Sequence, residues 1–164
     1  MIDAASEEVF VARFGDLYEH SPWIAREAWR ARPFADADAF LAALSAVVRR
    51  SGEKKQRALV QAHPELARKF GVDSELGRLS ASEQAGAGLD RLSPEEFTQF
   101  RALNDAYRAR FDMPFVICVR KADKASIRSE LERRLAQSLK EELEEALRQI
   151  DQIAALRLKD KLAS

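Results

Sequence analysis

Pro114-Phe115-Val116-Ile117-Cys118-Val119 is the one run in the chain without helical period, and six residues with no partner strand elsewhere do not make a sheet. The run reads as a buried extended segment, and the sequence around it reads as helix. The expected fold is therefore all-α, a single domain over residues 1–164 with about seven to nine helices. An extended segment inside a core leaves N–H and C=O groups that either neighbouring loops or a polar planar ligand must satisfy. Cys118 within it reads as a small apolar filler, because burial raises a thiol pKa and disarms it as a nucleophile.

The helices announce themselves by caps and by apolar spacing. Ser6 caps a first helix, with Glu7 and Glu8 in its opening turn and Val9, Phe10, Phe14 and Leu17 on one face. Ser21-Pro22 reads as cap and first residue of a short helix bearing Trp23, Ile24 and Trp29. Asp36 caps the next, which carries Phe40, Leu41, Leu44, Val47 and Val48 and ends at Gly52. A fourth helix, from Glu53, runs up to His63. Gly71 to Leu79 reads as a loop. Ser80–Glu83, Ser93–Glu96 and Ser138–Glu141 each spell a capping box. The second opens a long amphipathic helix through Phe97, Phe100, Leu103, Tyr107 and Phe111, and Ile127, Leu131 and Leu135 mark another.

Charge and cysteine usage exclude several classes of function. Lys plus Arg (27) balances Asp plus Glu (27), so no net field draws the chain to nucleic acid or to an anionic membrane. Cys118 is the only cysteine and the histidines are two, His20 and His63, without ligand spacing. No internal disulfide and no multi-cysteine metal site can form. The amino terminus lacks the order of a signal peptide, no apolar run approaches the roughly 20 residues of a membrane helix, and the cytoplasm is the expected location.

Three places break the rules of helix packing, and function is sought there. The first is Gln61-Ala62-His63-Pro64-Glu65-Leu66-Ala67. Proline disfavours helical backbone at the residue before it, so the helix ends near His63, and Pro64 opens a new helical turn through Glu65, Leu66, Ala67 and Phe70, stopped by Gly71. The imidazole is then fixed at a junction, either as a structural side chain bonded to a carbonyl or as an acid–base group. The second place is Arg157, which falls on the stripe Leu139, Leu143, Leu147, Ile150, Ala154 of the last helix. Its charge calls for an anion, which a protein carboxylate or a substrate can supply, unless the long stem snorkels. The third is Ser80-Ala81-Ser82-Glu83-Gln84-Ala85-Gly86-Ala87-Gly88. Its glycines suggest close approach of a backbone or a ligand, while a capping box by itself explains Glu83.

Taken together these stretches resemble a known family, the 2-oxo-4-hydroxy-4-carboxy-5-ureidoimidazoline (OHCU) decarboxylases of urate oxidation. The resemblance rests on Ser21-Pro22-Trp23-Ile24-Ala25, Ala28-Trp29, Arg32-Pro33-Phe34, Ala62 to Ala67, Ser80-x-x-Glu83-Gln84-x-x-Ala87-Gly88-Leu89-Asp90, Leu103-Asn104-x-x-Tyr107, Phe111-x-x-Pro114 to Arg120, and Ile153-Ala154-x-x-Arg157-Leu158. They occur in family order over nearly the whole chain. The resemblance implies an all-α enzyme, a carboxy-lyase without metal or organic cofactor, that turns a small ureidoimidazoline into (S)-allantoin and forms a homodimer. It implies catalytic roles for His63, Glu83 and Arg157, and substrate contacts from Pro64, Ser80, Gln84 and the backbone of Phe115, Val116, Ile117, Cys118 and Val119. The family often has Phe-Gly-Phe-Pro-Phe where this chain has Phe111-Asp112-Met113-Pro114-Phe115, which bears on substrate breadth. The alternative from another class is a non-catalytic helical module that binds proteins.

Overall fold

The computed structural model describes residues 2–68, 71, 73 and 75–164. Among these are eight α-helices and no strand: α1 (Glu7–Phe14), α2 (Pro22–Ala28), α3 (Ala37–Arg50), α4 (Glu53–Gln61), α5 (Arg78–Gly86), α6 (Pro94–Phe111), α7 (Lys124–Arg134) and α8 (Leu139–Ala163). Two 3₁₀ turns, Trp29–Ala31 and Val119–Lys121, complete them. The chain packs as two compact units, one of Met1–Ala62 with Ile150–Ser164, the other of His63–Gln149, so α8 contributes residues to both.

In the first unit α1, α2 and α3 bury an aromatic cluster. Phe10 and Phe14 stand 5.0 Å apart, and Phe40 meets their rings edge-on at 5.3 and 5.1 Å. Ser6 and Asp36 cap α1 and α3 as expected, accepting from the N–H groups of Val9 (3.3 Å) and Ala39 (2.8 Å). Ser21 occupies the cap position of α2, yet its hydroxyl donates to the Glu19 carbonyl at 2.9 Å instead. Val9 does not share the buried face: it is 52% exposed, because one step along a helix turns the side chain by about 100° from Phe10.

In the second unit α6 lays Phe100, Asn104, Tyr107 and Phe111 against the core, and α7 adds Ile127, Leu131 and Arg134. The capping box at Ser93–Glu96 is complete, and that at Ser138–Glu141 shows both reciprocal bonds, at 2.9 and 3.2 Å. Residues 114–118 are neither helix nor strand, Cys118 is in extended backbone just before the 3₁₀ turn, and 113–119 are buried throughout. Leu139, first residue of α8, is 41% exposed, so the apolar stripe of that helix starts at Leu143.

Two further local expectations fail. Pro64 opens no helical turn: Leu66 and Ala67 form a turn with Ala67 at φ 50°, a left-handed conformation that stops helical propagation, and Phe70 lies outside the described residues. The Ser80–Glu83 capping box does not form either. Gly77 takes the cap position and α5 begins at Arg78, within the stretch read as loop, which places Ser80 inside the helix with a buried side chain.

Candidate active site

The second unit gathers most of the expected site. His63 lies two residues beyond the last residue of α4, at the junction that Pro64 imposes, and is 7% exposed. The turn that follows is clamped at one peptide group. Asn104 Nδ2 on α6 donates to the Leu66 carbonyl at 2.7 Å, and the N–H of Ala67 donates to Gln84 Oε1 on α5 at 3.2 Å. Carbonyl and N–H of the same Leu66–Ala67 peptide are therefore both held by side-chain amides. Glu65 adds the rim, accepting from Arg108 Nε at 2.7 Å and Arg101 Nη1 at 3.3 Å. A mostly apolar cavity of about 190 Å³ opens beside the clamp, with Ala67, Gln84, Leu89 and Asp90 in its wall.

Gln84 and Ser80 are buried on α5, and Glu83 stands beside Gln84 at intermediate exposure. Because Ser80 caps nothing, a capping box no longer accounts for Glu83. The carboxylate of Glu83 acts on Cys118: burial first pushes that thiol up, and Glu83 adds to it while Lys121 opposes. The helix α5 also packs against the 3₁₀ turn Val119–Lys121. The glycines of this stretch do not serve close approach. Gly88 sits at φ 81°, following α5, where its N–H bonds the Ala85 carbonyl (3.0 Å) and the Leu89 N–H bonds the Gln84 carbonyl (3.0 Å), a Schellman closure that calls for left-handed backbone. A side chain at Gly86 would meet nothing within 4 Å, and nothing in the structure explains that glycine.

Two groups of the extended segment have partners from α7 and α8. Arg134 Nη1 donates to the Val116 carbonyl at 2.7 Å, and the Cys118 N–H donates to Gln149 Oε1 at 2.9 Å. Loop groups were one of the two expected sources of such bonds, and helix side chains supply these. Of the backbone donors expected to contact substrate, that of Cys118 is taken inside the protein.

Arg134 heads a network that the sequence reading missed. It is 0% exposed, as is Glu142, and Arg134 Nε donates to Glu142 Oε1 at 2.7 Å. The Tyr107 hydroxyl donates to the same carboxylate oxygen, and Gln137 Nε2 donates to its other oxygen at 2.7 Å. The guanidinium also lies 4.4 Å over the Phe115 ring, which Tyr107 meets edge-on. Burial and then the bond to Glu142 push the Tyr107 phenol well above its ordinary value. The signal was present: Arg134 continues the Ile127–Leu131 stripe by three residues, the same anomaly that singled out Arg157. Asn104 interrupts the α6 stripe in the same way.

Arg157 belongs to the first unit and is 3% exposed, which rules out snorkelling. Its Nη2 donates to Glu19 Oε2 at 3.2 Å and its Nη1 to the Asp16 carbonyl at 3.3 Å. A guanidinium short of an anion, the state expected if substrate alone supplied one, is thus not what the fold contains. Glu19 supplies the carboxylate.

Fold and site together define a class: an all-α protein that buries a proline-fixed histidine and the glutamine of a half-buried Glu-Gln pair, with no cluster of three or more metal-ligating side chains among the described residues. The family model described as OHCU decarboxylase matches residues 3–159, and the chain belongs to that family. It is 38% identical to the 2-oxo-4-hydroxy-4-carboxy-5-ureidoimidazoline decarboxylase of Halalkalicoccus jeotgali, over 97% of this chain and 88% of that protein. It is 37% identical to the protein of the same name from Haloferax volcanii, over 99% and 95%. Its fold matches a crystal structure of (S)-allantoin synthase with TM-score 0.76 at 26% identity, covering 95% of this chain and 50% of that one.

Proposed function

We propose that this chain is a carboxy-lyase spanning residues 1–164, converting 2-oxo-4-hydroxy-4-carboxy-5-ureidoimidazoline to (S)-allantoin in urate catabolism without metal or organic cofactor. The observation that carries this reading is the joining of two family motifs by one hydrogen bond: Gln84 of the Glu-Gln pair accepts from Ala67 of the His-Pro turn.

The chemistry asks for few parts. The bond between ring carbon and carboxylate breaks, CO₂ leaves, and the electron pair stays on a ring carbon beside an electron-withdrawing carbonyl or imine. N–H donors aimed at that enolate-like charge lower the barrier. The pair is drawn onto the neighbouring ureido-bearing carbon, and the 4-hydroxyl gives up its proton to become the ring carbonyl. A proton adds to one face of the ureido-bearing carbon and sets the (S) hand. His63 moves that proton, held by a backbone that Pro64 stiffens, and Glu83 tunes the imidazole or orients the ureido group. Arg157 meets the anionic substrate, exchanging or sharing its contact with Glu19. Ser80, Pro64 and Gln84 shape the pocket. We further assign the protein to the cytoplasm as a homodimer; among the described residues no helix is long and apolar enough to cross a membrane.

Because the substrate decays unaided, the test is rate and handedness together. Freshly generated substrate is mixed with the protein and followed by circular dichroism. The (S)-allantoin signal should rise faster with protein than without. A signal that grows only at the unaided rate, or a racemic product, overturns the reading.

A further inference from the structure

We propose that Arg134 and Gln149 are positioning residues for this reaction: they fix the extended segment so that the Ile117 N–H is aimed at the charge that develops on the substrate. The inference rests on the decarboxylase reading above and goes beyond it by naming two residues that touch no substrate.

The argument starts from the planarity of the peptide. In a trans peptide the C=O of one residue and the N–H of the next point in opposite directions. Arg134 Nη1 holds the Val116 carbonyl at 2.7 Å, so the Ile117 N–H of the same peptide is directed away from α7. Gln149 Oε1 holds the Cys118 N–H at 2.9 Å, so the carbonyl of Ile117 is likewise turned away from α8. Two consecutive peptide groups are therefore locked from one side, and the rotation of both about the segment axis is set. An extended segment with no neighbouring strand has no ladder to do this, and side chains must.

Each holder is itself held. Arg134 is 0% exposed, pinned by the Glu142 carboxylate and stacked 4.4 Å over the Phe115 ring, and Gln149 Nε2 donates to Glu145 Oε1 at 3.1 Å. Gln149 is only half-buried, yet it directs its carbonyl oxygen to the backbone. Rate depends steeply on the aim of such a donor, since its worth lies in being oriented before the charge forms.

The test uses the full chain and variants at Gln149, whose partial exposure lets it change without opening the core. Gln149→Met keeps the stem and the helix preference and removes the acceptor; Gln149→Glu combined with Glu145→Gln keeps an acceptor and swaps the donor onto the neighbour. For Gln149→Met the expected result is a kcat lower by about tenfold or more with KM little changed and melting temperature near wild type, and recovery of kcat in the Gln149→Glu, Glu145→Gln double variant. A merely structural role would lower the folded fraction and leave its kcat intact. In parallel, ¹⁵N-labelled wild-type protein is titrated with (S)-allantoin: the Ile117 amide should shift and the Cys118 amide should not. A Gln149→Met enzyme with full kcat, or an Ile117 amide that stays in place while Cys118 moves, overturns the positioning role alone. Wild-type protein that fails to accelerate substrate loss overturns the decarboxylase reading, and this inference with it.

Discussion

Arg157 Nη2 donates across 3.2 Å to Glu19 Oε2, and neither side chain is more than 8% exposed. A buried guanidinium and a buried carboxylate each pay for desolvation, so the pair holds only while both members are present. The substitution that tests Arg157 therefore has a different expected outcome from the one its sequence position suggests.

Arg157→Met takes the guanidinium away from the buried Glu19 carboxylate and should lower stability by about 3 kcal/mol, visible as a fall in melting temperature. Adding Glu19→Gln removes the buried negative charge and should restore most of that loss. If Arg157 also meets substrate, the stable double variant stays nearly inactive. A double variant that melts like wild type and turns over normally would make the arginine purely structural.

His63→Asn should fold with a melting temperature close to wild type, since asparagine keeps a polar side chain at the Pro64 junction. Its rate of (S)-allantoin formation should drop by about 10² to 10⁴-fold, the usual contribution of an acid–base group. Unchanged turnover by the folded variant refutes the assignment.

Arg134→Met leaves Glu142 buried at 0% exposure with the neutral donors Tyr107 and Gln137. The expected loss is about 3–5 kcal/mol. Replacing both members, Arg134→Met with Glu142→Gln, should recover part of the stability without recovering kcat: the buried charge is gone and an amide oxygen still accepts from Tyr107, while the Val116 carbonyl still lacks its donor. Denaturant melts set beside kcat separate the two effects.

Exhaustive chelation should leave turnover intact. The motivation lies in the sequence, whose two histidines and single cysteine offer no ligand spacing. Activity lost to chelator and restored by one metal ion would contradict this.

Acid should loosen the helix starts. Asp123, Glu96 and Glu141 are each held below the ordinary carboxylate range, chiefly by hydrogen bonds to backbone N–H groups at the starts of α7, α6 and α8. A folded pKa below the unfolded one means stability that is fully present above the unfolded value, about 4, and is lost as pH falls through the lower folded value. Melting temperature should hold from pH 7 to about 5 and decline below it. The decline should be shallower in Asp123→Asn, which caps without a charge. A melting temperature that is flat to pH 3 would show that these caps carry no linked protons.

Local chemistry wrote much of this protein into its sequence. Caps at Ser6, Asp36, Ser93 and Ser138 need only residues three positions away, and Pro64 ends α4 by a clash with its own neighbour. The lone apolar run Pro114–Val119 likewise fixed the class of fold, because no second run could pair with it. Where local rules competed, the sequence was ambiguous. Gly77 rather than Ser80 starts α5, and Ala67 in a left-handed turn replaces the helical turn expected on Pro64.

What only tertiary structure decided is which polar groups meet. Spacing puts Arg134 and Arg157 on apolar stripes, but it does not set the rotation of one helix against another. Glu19 lies 138 residues from Arg157, Asn104 lies 38 from Leu66, and Gln149 lies 31 from Cys118. A hydrogen bond depends on distances of a few tenths of an ångström, and those are set by packing the whole core. The sequence by itself put charges on apolar stripes; the packed fold determined that they would be buried and that Glu19 and Glu142 would answer them.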